Sequence, residues 1–132
     1  MAEKILVIED DPSVAELIRY ALETAGYEVI PCVEGNMAWE AVETTNPALI
    51  ILDMMLPGVD GYTLVTKMAQ DDKKKSIPII VTTALAPSRN MFEKFQQVIA
   101  FMPKPFDMPE LLKKMQSALK NRNISLHTVE NV

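Results

Sequence analysis

The sequence has a single cysteine, Cys32, a single histidine, His127, and only four glycines in 132 residues. One cysteine cannot close an internal disulfide, so no disulfide framework holds the chain, and a reducing compartment suits it. His127 falls in a polar stretch near the end, which leaves no histidine for a catalytic triad or zinc site in the core. No apolar run approaches the ~20 residues of a membrane helix, and Met1-Ala2-Glu3-Lys4 does not resemble a signal peptide. A basic excess is missing as well: the net charge of −5 argues against nucleic-acid binding by this segment. What is present is an ordinary globular balance, 48% hydrophobic and 23% charged, at a length that suits one domain. The expectation is a soluble cytoplasmic domain without membrane contact.

Apolar runs set the architecture. Lys4–Ile8 (KILVI) and Ala48–Leu52 (ALIIL) are apolar on both faces, the pattern of central strands in a parallel sheet covered by helices. Tyr27–Val33 reads as a second strand, with Pro31 pointing to an edge, and Ile77–Thr82 and Val98–Met102 complete five. Between them, Asp11-Pro12 opens a helix that Gly26 stops, Met37–Thr45 and Tyr62–Gln70 read as helices, and a last helix spans Met108–Lys120. Residues 1–120 form one domain, and Asn121–Val132, polar and without clear period, reads as a tail or the start of a linker. Alternating strands and helices imply a doubly wound α/β sheet.

Such sheets bind ligands at the carboxyl ends of their strands. Glu9, Asp10, Asp11 and Asp53 all directly follow buried strands and therefore converge on that edge. Two carboxylates ~4 Å apart repel by roughly 4 kcal/mol at an effective dielectric of 20. Protonation, a lysine or a hard divalent cation relieves such a cluster, and magnesium suits oxygen ligands of this kind. Each acid alone could equally be a helix cap, as Asp11 before Pro12 is expected to be. Thr82-Thr83-Ala84 and Lys104-Pro105 reach the same edge and make the cluster informative.

The blocks I-L-V-I-E-D-D-P, L-I-I-L-D-M-M-L-P-G-V-D-G, P-I-I-V-T-T-A and K-P-F, in this order and spacing, resemble the receiver domains of two-component response regulators. The resemblance implies a flavodoxin-like five-stranded sheet of order 2-1-3-4-5 with five helices. It implies Asp53 as phosphoryl acceptor, with magnesium (or manganese) held by Asp53, by Asp10, by Glu9 through a water and by the Met55 carbonyl. Lys104 would pair with a phosphoryl oxygen, aimed inward by a cis bond before Pro105. Thr83 would be the switch hydroxyl, Ala84 its small neighbour and Phe101 the switch aromatic, commonly tyrosine in the family. A phenyl ring in the core would look the same from sequence. Phosphorylation by a histidine kinase or phosphotransfer protein would bias the surface of the fourth helix, fifth strand and last helix towards a downstream effector, with homodimerisation left open.

The segment Gln97-Val98-Ile99-Ala100 departs from the Gly-Ala and acidic residues usual before the switch aromatic, a departure that falls at the end of the fourth helix and on the output face. Met55 stands where aspartyl-phosphate phosphatases usually carry a second acid, which counts against a turnover enzyme; the chain would catalyse only its own phosphoryl transfer and dephosphorylation. Apolar Met55 and Leu85 would flank the attacking water and slow that dephosphorylation. A flavin or nucleotide carrier would need a glycine-rich or hydroxyl-rich loop after the first strand, and acids stand there instead. A non-phosphorylated binding module typically loses an acid, the threonine or the lysine, and all are present.

Overall fold

β-Branched and leucine side chains on both faces of a short run favour a strand buried from two sides, and the sheet is built around such runs. The computed structural model describes residues 2–53, 61–83, 92 and 94–130, with the backbone alone for 83 and 121–130. Its strands are β1 (Lys4–Ile8), β2 (Glu28–Cys32), β3 (Leu49–Asp53), β4 (Ile79–Thr83) and β5 (Val98–Pro103). All neighbours pair in parallel, in the order β2-β1-β3-β4-β5. This is the expected order, and Pro31 does sit on an edge strand. After β2 the chain crosses back to the other side of β1, so the crevice of the fold opens where the ends of β1 and β3 part.

Strand alternation divides the core. Leu6, Ile8, Ile50, Leu52, Ile79 and Val81 pack on one face against α2 (Ala38–Thr45) and α3 (Gly61–Ala69). Ile5, Val7, Leu49, Ile51 and Ile80 pack on the other against α1 (Pro12–Thr24) and α4 (Met108–Glu130). Each fully buried Ile or Leu contributes about 1.5–3 kcal/mol, and such residues fill β1, β3 and β4.

Local signals position the helices. The Asp11 carboxylate accepts from the Ser13 and Val14 backbone N–H groups at 2.9 and 3.4 Å, capping α1 as expected. Gly26 has φ +99°; its N–H donates to Glu23 O and that of Tyr27 to Leu22 O, which ends α1 in a Schellman turn. A 3-10 turn, Gly35–Met37, leads into α2.

α4 runs to Glu130, ten residues beyond the expected end at Lys120. No glycine or proline follows Pro109, so nothing in the covalent chain stops the helix where its apolar face ends. Four α-helices are seen among the described residues; the fifth, expected between β4 and β5, falls largely on 84–91 and 93, outside them. Met55, Ala84 and Leu85 also lie outside them.

Candidate functional site

β1 and β3 end side by side, with Ile8 in register with Leu52, so Glu9 and Asp53 emerge next to each other. Both are almost fully buried, at 2% and 3% exposure, whereas Asp10 faces solvent. Carboxylate oxygens of Glu9, Asp10 and Asp53 all lie within 4.8 Å of one another. β5 brings the cation: Lys104 Nζ donates to Glu9 Oε1 at 2.8 Å and to Asp53 Oδ2 at 3.3 Å. The Lys104–Pro105 bond is cis. The Asp11 N–H donates to Glu9 Oε2 at 3.1 Å and fixes the second oxygen of that carboxylate.

Burial pushes the Glu9 carboxyl up to about 7; neighbouring Asp53 adds to the rise, while Lys104 and the Asp11 N–H oppose it. Burial alone would lower the Lys104 ammonium, but the two carboxylates outweigh it and hold its pKa above the ordinary value. Three carboxylates and one ammonium leave an excess of two negative charges when all are ionised. Hard oxygen donors with that excess fit one magnesium ion, which takes one or two carboxylates and fills its octahedron with water and phosphate oxygens.

Four of the site residues expected from sequence, Glu9, Asp10, Asp53 and Lys104, therefore come together. The Thr83 backbone ends β4, paired in register with Pro103 just before Lys104. Neighbouring Thr82 is buried opposite Asp53 and packs as a strand residue. Phe101 is half-buried against the cluster that holds Tyr62, Phe92 and Phe95, one residue before Met102, which pairs with Thr82 opposite Asp53. The short Glu9–Lys104 contact was not anticipated. The sequence shows an excess of acids over lysines at one sheet edge, but that excess does not say which acid the lysine meets.

The chain matches the family model of the response regulator receiver domain over residues 5–116. It is 35% identical over 118 residues to the DNA-binding dual master transcriptional regulator RpaA of Synechocystis, covering 89% of this chain and 49% of that one. With the alkaline phosphatase synthesis transcriptional regulatory protein PhoP of Bacillus subtilis it shares 34% over 137 residues, covering 98% and 54%. The chain thus spans about half the length of these curated relatives. Among solved structures, the receiver domain of the Pseudomonas aeruginosa sensor histidine kinase PA1611, with magnesium in its active site cleft, superposes with a TM-score of 0.80 at 27% identity, covering 91% of this chain and 99% of that one. The response regulator TrrA of Thermotoga maritima, in complex with Mg(2+)-BeF, superposes with a TM-score of 0.77 at 29% identity, covering 88% and 98%.

Proposed function

The chain belongs to the response regulator receiver domains of two-component systems, and on that premise we propose that Asp53 is its phosphoryl acceptor. The observation that carries this reading is the buried Glu9–Asp53 pair held by Lys104. Asp53 attacks as a carboxylate at the phosphorus of the donor's phosphohistidine; the O–P bond of an aspartyl phosphate forms as the P–N bond breaks and the donor imidazole leaves. Asp10 and Asp53 would hold magnesium (or manganese) directly and Glu9 through a water, and the backbone carbonyl of Met55, which lies outside the described residues, would be a further ligand. Bound there, the ion supplies charge neutralisation on the transferring phosphoryl group. Lys104 shifts its donated hydrogen bond from Asp53 to a phosphoryl oxygen, a charge-assisted contact that costs little rearrangement because Nζ already lies 3.3 Å from Asp53 Oδ2.

The added phosphoryl carries ~1.5–2 negative charges. Thr83 donates its hydroxyl to this group, and Phe101 turns inward behind it. The output surface that the resemblance implies, of the fourth helix, the fifth strand and the last helix, shifts towards its active arrangement for a downstream effector. Response regulators interact with histidine kinases and effectors, and a histidine kinase or phosphotransfer protein is the proposed donor here. Residues 1–120 are the proposed receiver unit, in the cytoplasm, with no turnover beyond its own phosphorylation and dephosphorylation. Among the described residues no helix is long and apolar enough to cross a membrane.

The test is incubation with magnesium and acetyl phosphate followed by intact mass measurement. Wild type is expected to gain one phosphoryl mass and Asp53→Asn none. Absence of the gain in wild type, or its persistence in the variant, would overturn the assignment.

A further inference from the structure

A cleft of about 1020 Å³ opens at the amino ends of β4 and β5, the sheet edge opposite the acids. Its shape begins with strand register. Ile79 pairs with Val98 and Ile80 with Ala100, so Ile99 is the extra residue of a β-bulge. The bulge leaves Ile99 43% exposed, and Pro78 and Phe95 extend its apolar wall. The facing side, on α4, has only the small Ser117 and Ala118, with Lys114 one turn before them. The volume is that of a small-molecule site, roughly 300–1,000 Å³.

Gln97 also lines this cleft and carries an unanswered polar atom. The residue is 8% exposed, and its Nε2 donates to the Lys74 and Ile77 carbonyls at 3.1 and 2.9 Å. Those two bonds fix which end of the amide is nitrogen. Oε1 is the end left over, buried and with no hydrogen-bond partner among the described residues. A buried acceptor without a donor costs about 1–3 kcal/mol, a cost that a ligand N–H would remove. Lys75, Lys94 and Lys114 line the same cleft, and among the described residues no carboxylate does, in a chain of net charge −5. Lys75 and Lys114 pair with Asp72 and Glu110 at 3.3 and 3.9 Å, and Lys94 Nζ lies 5.1 and 5.3 Å from the ring centres of Tyr62 and Phe95. Exposed contacts of both kinds contribute roughly 0–1 kcal/mol each, so the three ammonium groups can exchange them for an anion.

We propose that this cleft binds a small adenine nucleotide. The base lies against Ile99 and Phe95, its exocyclic amine donates to Gln97 Oε1, and its phosphate meets the lysines. Each part of the ligand answers one feature: a flat apolar wall, a single orphan acceptor and a concentration of positive charge. Adenine suits a lone acceptor because it carries an exocyclic donor and no carbonyl that would need a second partner. Inorganic phosphate would leave both the wall and the acceptor unused. The cleft is separate from the acids at the other edge, so binding is measured in EDTA, and its failure leaves the assignment of Asp53 untouched.

The experiment titrates adenosine monophosphate into the full unphosphorylated chain by calorimetry. Inorganic phosphate and purine riboside monophosphate, which lacks the exocyclic amine, serve as comparisons. Adenosine monophosphate is expected to bind about tenfold or more tightly than either, and to lose about tenfold or more in affinity for the double variant Lys94→Glu with Lys114→Glu. Ser117→Trp, which fills the side on α4, is expected to abolish binding, with a thermal melt that matches wild type because the position is exposed. The side-chain amide resonances of Gln97 are expected to shift with adenosine monophosphate and to stay in place with phosphate. No binding of adenosine monophosphate, equal affinity for purine riboside monophosphate, unchanged affinity in the double variant, or binding that survives Ser117→Trp would overturn the proposal. So would Gln97 amide resonances that do not move when the nucleotide binds.

Discussion

β3 and β5 both deliver a charged side chain to the same site, yet they sit in opposite surroundings. All five residues of β3 are buried, and it pairs on both sides, with β1 and β4. β5 pairs only with β4, carries a bulge at Ile99, and buries only Met102 among its six residues. Asp53 is therefore presented from a support that resists movement, and Lys104 from one that yields. A phosphoryl acceptor needs the first property, because small misplacements of an attacking group cost large factors in rate. A signal read on the surface needs the second, because only a weakly held strand has an alternative arrangement within a few kcal/mol.

Mutations that trim each strand expose the contrast. Leu52→Ala removes a fully buried side chain between β1 and β4 and is expected to lower stability by about 3 kcal/mol in urea denaturation. Ile99→Ala on β5 is expected to change it by no more than about 0.5 kcal/mol. Similar losses at both positions would remove the distinction.

The charged residues on these supports give the next largest effect. The folded-state pKa of Glu9, about 7, lies above its ordinary value of 4.5. The folded state thus holds this proton more tightly, and stability contributed by Glu9 falls as pH rises from about 4.5 to about 7. The drop is on the order of 2–3 kcal/mol in the absence of magnesium. Glu9→Gln is expected to flatten that part of the stability–pH curve; an unchanged slope would mean that another group titrates there. Smaller again is the effect on metal affinity. If Glu9 acts as a carboxylate towards the hydrated ion, magnesium binding weakens about tenfold between pH 8 and pH 6, read by fluorescence or calorimetric titration. Glu9→Gln should bind more weakly at pH 8 and lose that dependence.

Much of this arrangement was legible in the sequence where short-range chemistry decides. Ile5–Ile8 and Leu49–Leu52 leave no polar face, so they had to be central strands. Asp11-Pro12 and Gly26 carry their helix-ending roles in their own backbone preferences. Three acids after two such strands had to share one edge. The Glu9–Lys104 contact was not legible, because it joins residues 95 apart in sequence and depends on how deeply each is buried. The bulge at Ile99 was hidden for a related reason: register is set by the pairing of two strands, and Val98–Pro103 reads the same in either register. The extra turns of α4 were missed because a polar stretch without period resembles a tail, although it contains no residue that stops a helix.

The site's central claim is that one carboxylate, Asp53, becomes the acyl phosphate while Glu9 and Asp10 serve the metal. Reduction with sodium borohydride after treatment with magnesium and acetyl phosphate converts an aspartyl phosphate to homoserine, which peptide sequencing by mass spectrometry locates. Homoserine at position 53 alone is the predicted result; its appearance at position 10 instead, or at no acidic residue of a chain that had gained the phosphoryl mass, would contradict the account.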